Sequence, residues 1–284
     1  MITDANIVAG YALREALRRR VLLVVVVLTV AFLGLYGWGT AETFDAVDEV
    51  GGSPLVREQV IVGATLLGLA MFVTLFLGTV LAVFLTLNAV RGDAERGLLQ
   101  PLVVRPLGRT SLLLGRFIAA SAVCAAYVLL VYGSAVLLTG TLGDFTPNDV
   151  VTPGLTLAAA VVILVALALL GSTVLSATAN GIAVFMVFGA GLAAGLMGQI
   201  GEALDSDTLQ DIADVAAWVL PFEALYQHAL HLLTSSTVNF ERVIVQLGPF
   251  GGARDGGALL WPWAAAYLAM VSAAAAYRFS RLDL

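Results

Sequence analysis

Residues 91–116 hold the densest run of charge, glycine and proline in the chain. They read Arg91-Gly92-Asp93-Ala94-Glu95-Arg96-Gly97-Leu98-Leu99-Gln100-Pro101-Leu102-Val103-Val104-Arg105-Pro106-Leu107-Gly108-Arg109, and close on Arg116. Leu98, Leu99, Leu102 and Val103 share one helical face. Pro106 ends that helix, because the residue before a proline avoids the α region. A short amphipathic helix bounded by charges suits two tasks. It can seat in the groove of a cytoplasmic partner, or its arginines can tie the loop to anionic headgroups. The residues alone leave both open.

Other chemistry-bearing residues are sparse. His228 and His231 stand at i, i+3, a spacing that puts two imidazoles on one helix face, as copper or zinc would accept. No third soft ligand lies near them in sequence, so they read as solvated or interfacial histidines. The single cysteine, Cys124, excludes an intramolecular disulfide and reads as a small packing residue. Met71, Met186, Met197 and Met270 are scattered without a metal ladder, and no metal or cofactor is expected on this chain. All 14 basic residues are arginine. A phosphate-binding loop of the Walker type needs its lysine to reach the β- and γ-phosphates, so this chain carries no ATPase of that type. With a net charge of −6 and no lysine, it also makes a poor nucleic-acid binder. Thr74, Thr79, Thr86, Ser134 and Gln199 interrupt apolar runs. Serine and threonine bond their own helix backbone readily, and none of the five is given a role. Gly191, Gly195, Gly198 and Gly201 form a small-residue face that permits close helix approach. It is read as packing within the chain rather than as a dimer seam.

The elements that position these residues follow from composition. The chain has 284 residues, 60% hydrophobic and 12% charged, with mean hydropathy +0.96. Soluble domains run at about 25% charged, so a soluble enzyme and a disordered chain are both excluded. The expected fold class is an all-α integral membrane protein with six spans, near 21–39, 60–88, 112–140, 154–177, 181–200 and 258–277. Continuous rather than alternating apolar runs argue against a β-barrel. The first span reads as retained, not as a cleaved signal peptide. A turn at 178–180 parts the fourth and fifth spans. Residues 5–20, with Arg14, Arg18, Arg19 and Arg20 on the polar side, predict an amphipathic helix on the inner leaflet. Residues 201–257 predict two short helices at the outer surface, the second, from Pro221, partly in the headgroup region. Arginine bias sets the orientation. Both termini are inside, with eleven arginines and five acids on that side, against three arginines and fifteen acids outside. Trp38, Trp218, Trp261 and Trp263 all fall near the outer boundary, as an aromatic belt does.

Glu-x-Gly-x-Leu-x-x-Leu followed by Pro-x-x-Arg, here Glu95, Gly97, Leu99, Leu102, Pro106 and Arg109, resembles the first cytoplasmic loop of ABC-2-type transporter permeases. Residues 106–117 are similar to the branch that includes the permease of nitrous oxide reductase maturation. Gln100 and Pro101 depart from the family pattern. The resemblance implies a permease in the cytoplasmic membrane, working as a pair of copies, a homodimer rather than a heterodimer. A separate ATP-binding subunit would bear the ATP and Mg. The loop would be the coupling helix, with Glu95 touching the ATPase, Gly97 allowing close backbone approach, and Arg109 anchoring the loop beside Leu98, Leu99, Leu102 and Pro106. Export is the direction most members take. The alternative is a self-sufficient secondary transporter or channel, although such carriers usually hold an ionisable residue at mid-membrane, and no expected span carries one. An intramembrane enzyme would need a nucleophile and base that the spans do not offer. The partners expected are the ATPase, a second permease copy and membrane lipid.

Overall fold

A bilayer offers no water to backbone groups, so each crossing segment must pair its own amides and carbonyls, and a long apolar run becomes a helix. The structure is a computed structural model that describes residues 20–49, 56–87, 109–143, 145–234 and 253–281. Among these residues there are eight α-helices and no strand: α1 (Arg20–Glu49), α2 (Val56–Thr86), α3 (Arg109–Gly143), α4 (Val151–Ser172), α5 (Ala177–Ala203), α6 (Asp207–Val219), α7 (Pro221–Thr234) and α8 (Leu260–Ser280). The helix expected over 5–20 lies outside the described residues, with Arg14, Arg18 and Arg19. Arg20 is the first residue of α1.

Among the described residues five helices are long and apolar enough to cross a membrane: Leu22–Ala46, Val60–Thr86, Thr110–Gly143, Val151–Ser172 and Ala177–Ala203. The remaining long helix, α8, has 21 residues, but Trp261, Pro262 and Trp263 in its first turn dilute the apolar run. Two helices outrun the spans expected from sequence. α1 continues ten residues past Gly39, through Glu42, Asp45, Asp48 and Glu49, because no proline interrupts it. α3 has 35 residues, a rise of about 52 Å, well beyond the roughly 30 Å of a hydrocarbon core.

α4 is the central helix. It packs against α2, α3, α5, α7 and α8, and Leu157, Ala160, Val161, Ile163, Leu164, Val165 and Ala168 are buried around its circumference. It also has the highest mean hydropathy of the five spans, 2.6. A helix apolar all round belongs inside. α1 is peripheral, resting mainly on α3 and α2. Val25, Tyr36 and Thr40 on its inner stripe are buried, while Leu23, Val24, Val26, Val27, Leu28 and Val30 are exposed. Two hydrogen bonds fasten it to α3. The Thr29 hydroxyl donates to Val25 O at 2.7 Å, so at 2.6 Å it accepts from the Tyr127 hydroxyl. Thr139 likewise donates to Ala135 O, at 2.8 Å, and accepts from Tyr36 at 2.6 Å.

The turn between α4 and α5 falls at 173–176, a few residues before the expected 178–180. The last carbonyls of α4 explain the position. Ala168 O accepts from the Asn180 amide at 2.9 Å, Leu169 O from the Ser172 hydroxyl at 2.7 Å, and Leu170 O from the Thr173 hydroxyl at 2.7 Å. Gly171 O accepts the amides of Val174 and Leu175. The carbonyls of residues 168–171 at this helix C-terminus are thus paired, and Asn180 is placed inside α5 to reach back rather than in the turn itself. At the opposite end of α4, the Asp149 carboxylate caps the first turn by accepting from Val151 N at 3.0 Å and Thr152 N at 3.1 Å.

Candidate functional site

The loop read from sequence as the coupling element is bracketed by two helices that pack along one another, α2 and α3. Their approach is close at Gly78, where an added Cβ would stand 3.0 Å from Val128 of α3 and 3.0 Å from Val161 of α4. Thr86 at the end of α2 and Ser111 at the start of α3 are both buried. Glu95, Gly97, Leu98, Leu99, Leu102 and Pro106 lie outside the described residues, as do Gln100 and Pro101. Arg109 is the first residue of α3.

The described residues gather their polar chemistry at the other end, around α6 and α7. Both short helices form where the sequence predicts them, but they differ in depth. α6 is amphipathic and largely exposed, with Ala213 its one buried residue. α7 is set into the bundle against α4, and Phe222, Leu225, Tyr226, Ala229 and Leu233 belong to the core. Burial of this face against the bundle goes beyond the surface position that the sequence predicts. The glycine face of α5 makes room for it. A Cβ at Gly191 would stand 2.6 Å from the Phe222 ring, and one at Gly195 would overlap the Glu223 carboxyl. Gly198 faces Ala213 and Arg254, and Gly201 faces Leu209 and Gln210. This face packs within the chain.

Seating α7 buries two polar side chains one turn apart, Glu223 and Gln227. The Gln227 amide donates to Glu223 Oε1. Burial pushes the Glu223 carboxyl up to about 7, against the downward pull of the Gln227 bond and of Arg254. Arg254 bridges two helices. Its Nε donates to Glu202 at the end of α5 at 2.9 Å, and Nη1 to Asp214 of α6 at 3.0 Å. Trp263 Nε1 donates to Trp218 O at 2.9 Å, and the two indoles meet edge to face with centroids 5.3 Å apart. Trp38 and Trp261 are exposed. Of the four tryptophans expected in a belt, the fold thus pairs two. Sequence reading passed over Glu223 and Gln227; the signal was an i, i+4 polar pair beside the Phe222–Leu225–Leu233 stripe. Arg254 figured there only as one of three outer arginines.

His228 and His231 do share a face, with rings stacked at 6.4 Å and 14°. His228 Nδ1 accepts the Gly256 amide at 3.2 Å and lies 3.3 Å from the Asp255 carboxylate. Burial holds the imidazole below its ordinary value, with the Asp255 carboxylate opposing. The neutral ring accepting from Gly256 is therefore the favoured form. Among the described residues no three His, Cys, Asp or Glu side chains gather as a metal site. Cys124 is buried in the core cluster. Thr74, Thr79, Thr86 and Ser134 each donate to the carbonyl four residues back, at 2.7–2.9 Å.

Long apolar helices around a fully apolar central one define a multi-pass α-helical membrane protein. The family model described as ABC-2 family transporter protein matches residues 7–284, and the chain belongs to that family. It is accordingly a permease component of an ABC transporter, a transport subunit seated in the cell membrane. No curated protein matches it.

Proposed function

We propose that this chain is the permease half of an ATP-driven exporter, working as a homodimer with separate cytoplasmic subunits that bind ATP and Mg. The family match carries the reading, because it runs from residue 7 to 284 and so takes in the whole of the loop at 91–109. The absence of lysine supports a motor on another chain. In this reading α8 is a sixth crossing: its 21 residues rise about 32 Å, with Trp261 and Trp263 at one end and Arg278 near the other. Both termini then face the cytoplasm, and residues 5–20 lie along the inner leaflet. The likeness of residues 106–117 to the nitrous-oxide-reductase-maturation branch gives no cargo.

The coupling region comprises Glu95, Gly97, Leu98, Leu99, Leu102, Pro106 and Arg109. It hangs between helices of 31 and 35 residues, α2 and α3, which act as levers. Closure of the ATPase pair pushes the loops, and the packed α2–α3 pair carries that displacement across the membrane to a pathway between the two copies. Replacing Glu95 by Ala together with Gly97 by Val is expected to cut co-purification of the ATPase and ATP-dependent transport, with insertion intact. Undiminished co-purification and transport in that double variant would remove the coupling assignment. Transport by the chain alone in liposomes, driven by an ion gradient without ATP, would remove the motor-partner reading itself.

A further inference from the structure

A cavity of about 180 Å³ opens between α5, α6, α7 and the start of α8, lined among others by Glu223, Gln227, Asp214, Trp218, Arg254 and Trp263. It has room for several waters or a small organic group. We infer that this cavity binds a primary ammonium group, held by the Glu223 and Gln227 side chains against the Trp218–Trp263 wall.

Four observations converge on that chemistry. The first is the state of the buried carboxyl. Glu223 is 4% exposed, yet its only side-chain hydrogen bond among the described residues is the one Gln227 gives to Oε1, which leaves Oε2 as a free acceptor facing the cavity. Gln227, having spent an amide hydrogen on Glu223, offers its carbonyl oxygen beside it. In its ionised form Glu223 presents a carboxylate oxygen beside the Gln227 carbonyl, and such a pair suits a group that brings several hydrogens and a positive charge.

The second is charge. Arg254 is the one cation among the described residues that line the cavity, and Glu202 at 2.8 Å and Asp214 at 3.0 Å already hold it. With Asp255 also on the wall, carboxyls outnumber cations, so an anion is repelled and a cation is drawn in. Third, two indoles form one side, and an ammonium gains from a tryptophan face as a hydrated metal ion does not. Fourth, Gly195 keeps the site open. A Cβ there would press on both the Glu223 carboxyl and the Gln227 amide, so the glycine leaves room for this hydrogen-bonded pair.

Primary ammonium groups reach such a site from two sources: an ethanolamine-type lipid headgroup, or a free amine in the aqueous phase. The inference is independent of how the ATPase couples. Its test uses the full-length protein in detergent, titrated calorimetrically with ethanolamine and, as a neutral control, ethylene glycol at constant ionic strength. In parallel, native mass spectrometry reads lipid retained from nanodiscs of phosphatidylethanolamine or phosphatidylglycerol. Saturable ethanolamine binding identifies the free amine as a ligand. Selective retention of phosphatidylethanolamine with no ethanolamine binding identifies the headgroup. In either case Glu223→Gln should weaken binding about tenfold or more, because a charged hydrogen bond is lost. Should that variant fold poorly, Trp263→Leu at the rim carries the same expectation. Ethanolamine and phosphatidylethanolamine behaving like their controls, or binding unchanged in a folded Glu223→Gln or Trp263→Leu protein, would overturn the assignment.

Discussion

Glu223 stands in the first turn of α7, where the helix dipole favours an anion, yet loss of water outweighs that help. Arg254, Asp214 and Asp255 look into the same cavity, and Tyr226 adjoins on the helix. Burial raises the carboxyl from 4.5 in the unfolded chain to about 7 in the folded one. The sign follows from proton counts. Below pH 4.5 both states hold the proton and this group adds no pH dependence. Between 4.5 and about 7 the unfolded chain releases a proton that the folded one retains, so stability falls as pH rises, and above that it levels. The whole effect is at most about 3 kcal/mol. Thermal unfolding in detergent at pH 5 and pH 8 should show this decline, and Glu223→Gln should flatten it. An identical pH slope in that variant would assign the decline to other groups.

At the scale of elements, the fold turns on how closely α5 admits α7. Gly191 and Gly189 lie two residues apart on α5 and face different surroundings. A Cβ at Gly191 would collide with the Phe222 ring, itself stacked on Phe188 at 6.2 Å, whereas one at Gly189 meets nothing within 4 Å. Gly191→Val should therefore destabilise by about 1–3 kcal/mol through overpacking. Gly189→Ala should be neutral or stabilise by about 0.5–1 kcal/mol, by relieving helix entropy. Equal melting temperatures for the two variants would mean that α7 does not sit where described. The α4–α5 turn shows a different control: polar side chains, not spacing alone, choose where a hydrophobic run reverses.

Over the whole molecule, charge is segregated. In the proposed topology Asp45, Asp149, Glu202, Asp207 and Asp214 fall on one side of the membrane, with Arg109, Arg116, Arg278 and Arg281 on the other. The arginine pole is expected in the cytoplasm. With Cys124 buried, an introduced surface cysteine reports orientation. A membrane-impermeant maleimide should label Asp211→Cys in intact cells and Ser280→Cys only after lysis. The reverse pattern would invert the topology, and labelling of both in intact cells would deny that α8 crosses.

Composition and periodicity by themselves determined the all-helical membrane class, the apolar runs that became α1 to α5, and the existence of α6 and α7. The family was legible from the loop motif of Glu95, Gly97 and Arg109 because a motif is local. The cavity around Glu223 was not, for a physical reason. Between lipid and protein interior there is no contrast in polarity, so an apolar stripe does not say which side of a helix meets protein. Only the tertiary structure made α4 the central helix and left α1 at the edge. Only it turned the glycine face of α5 toward α7, and so carried an ordinary-looking glutamate away from water.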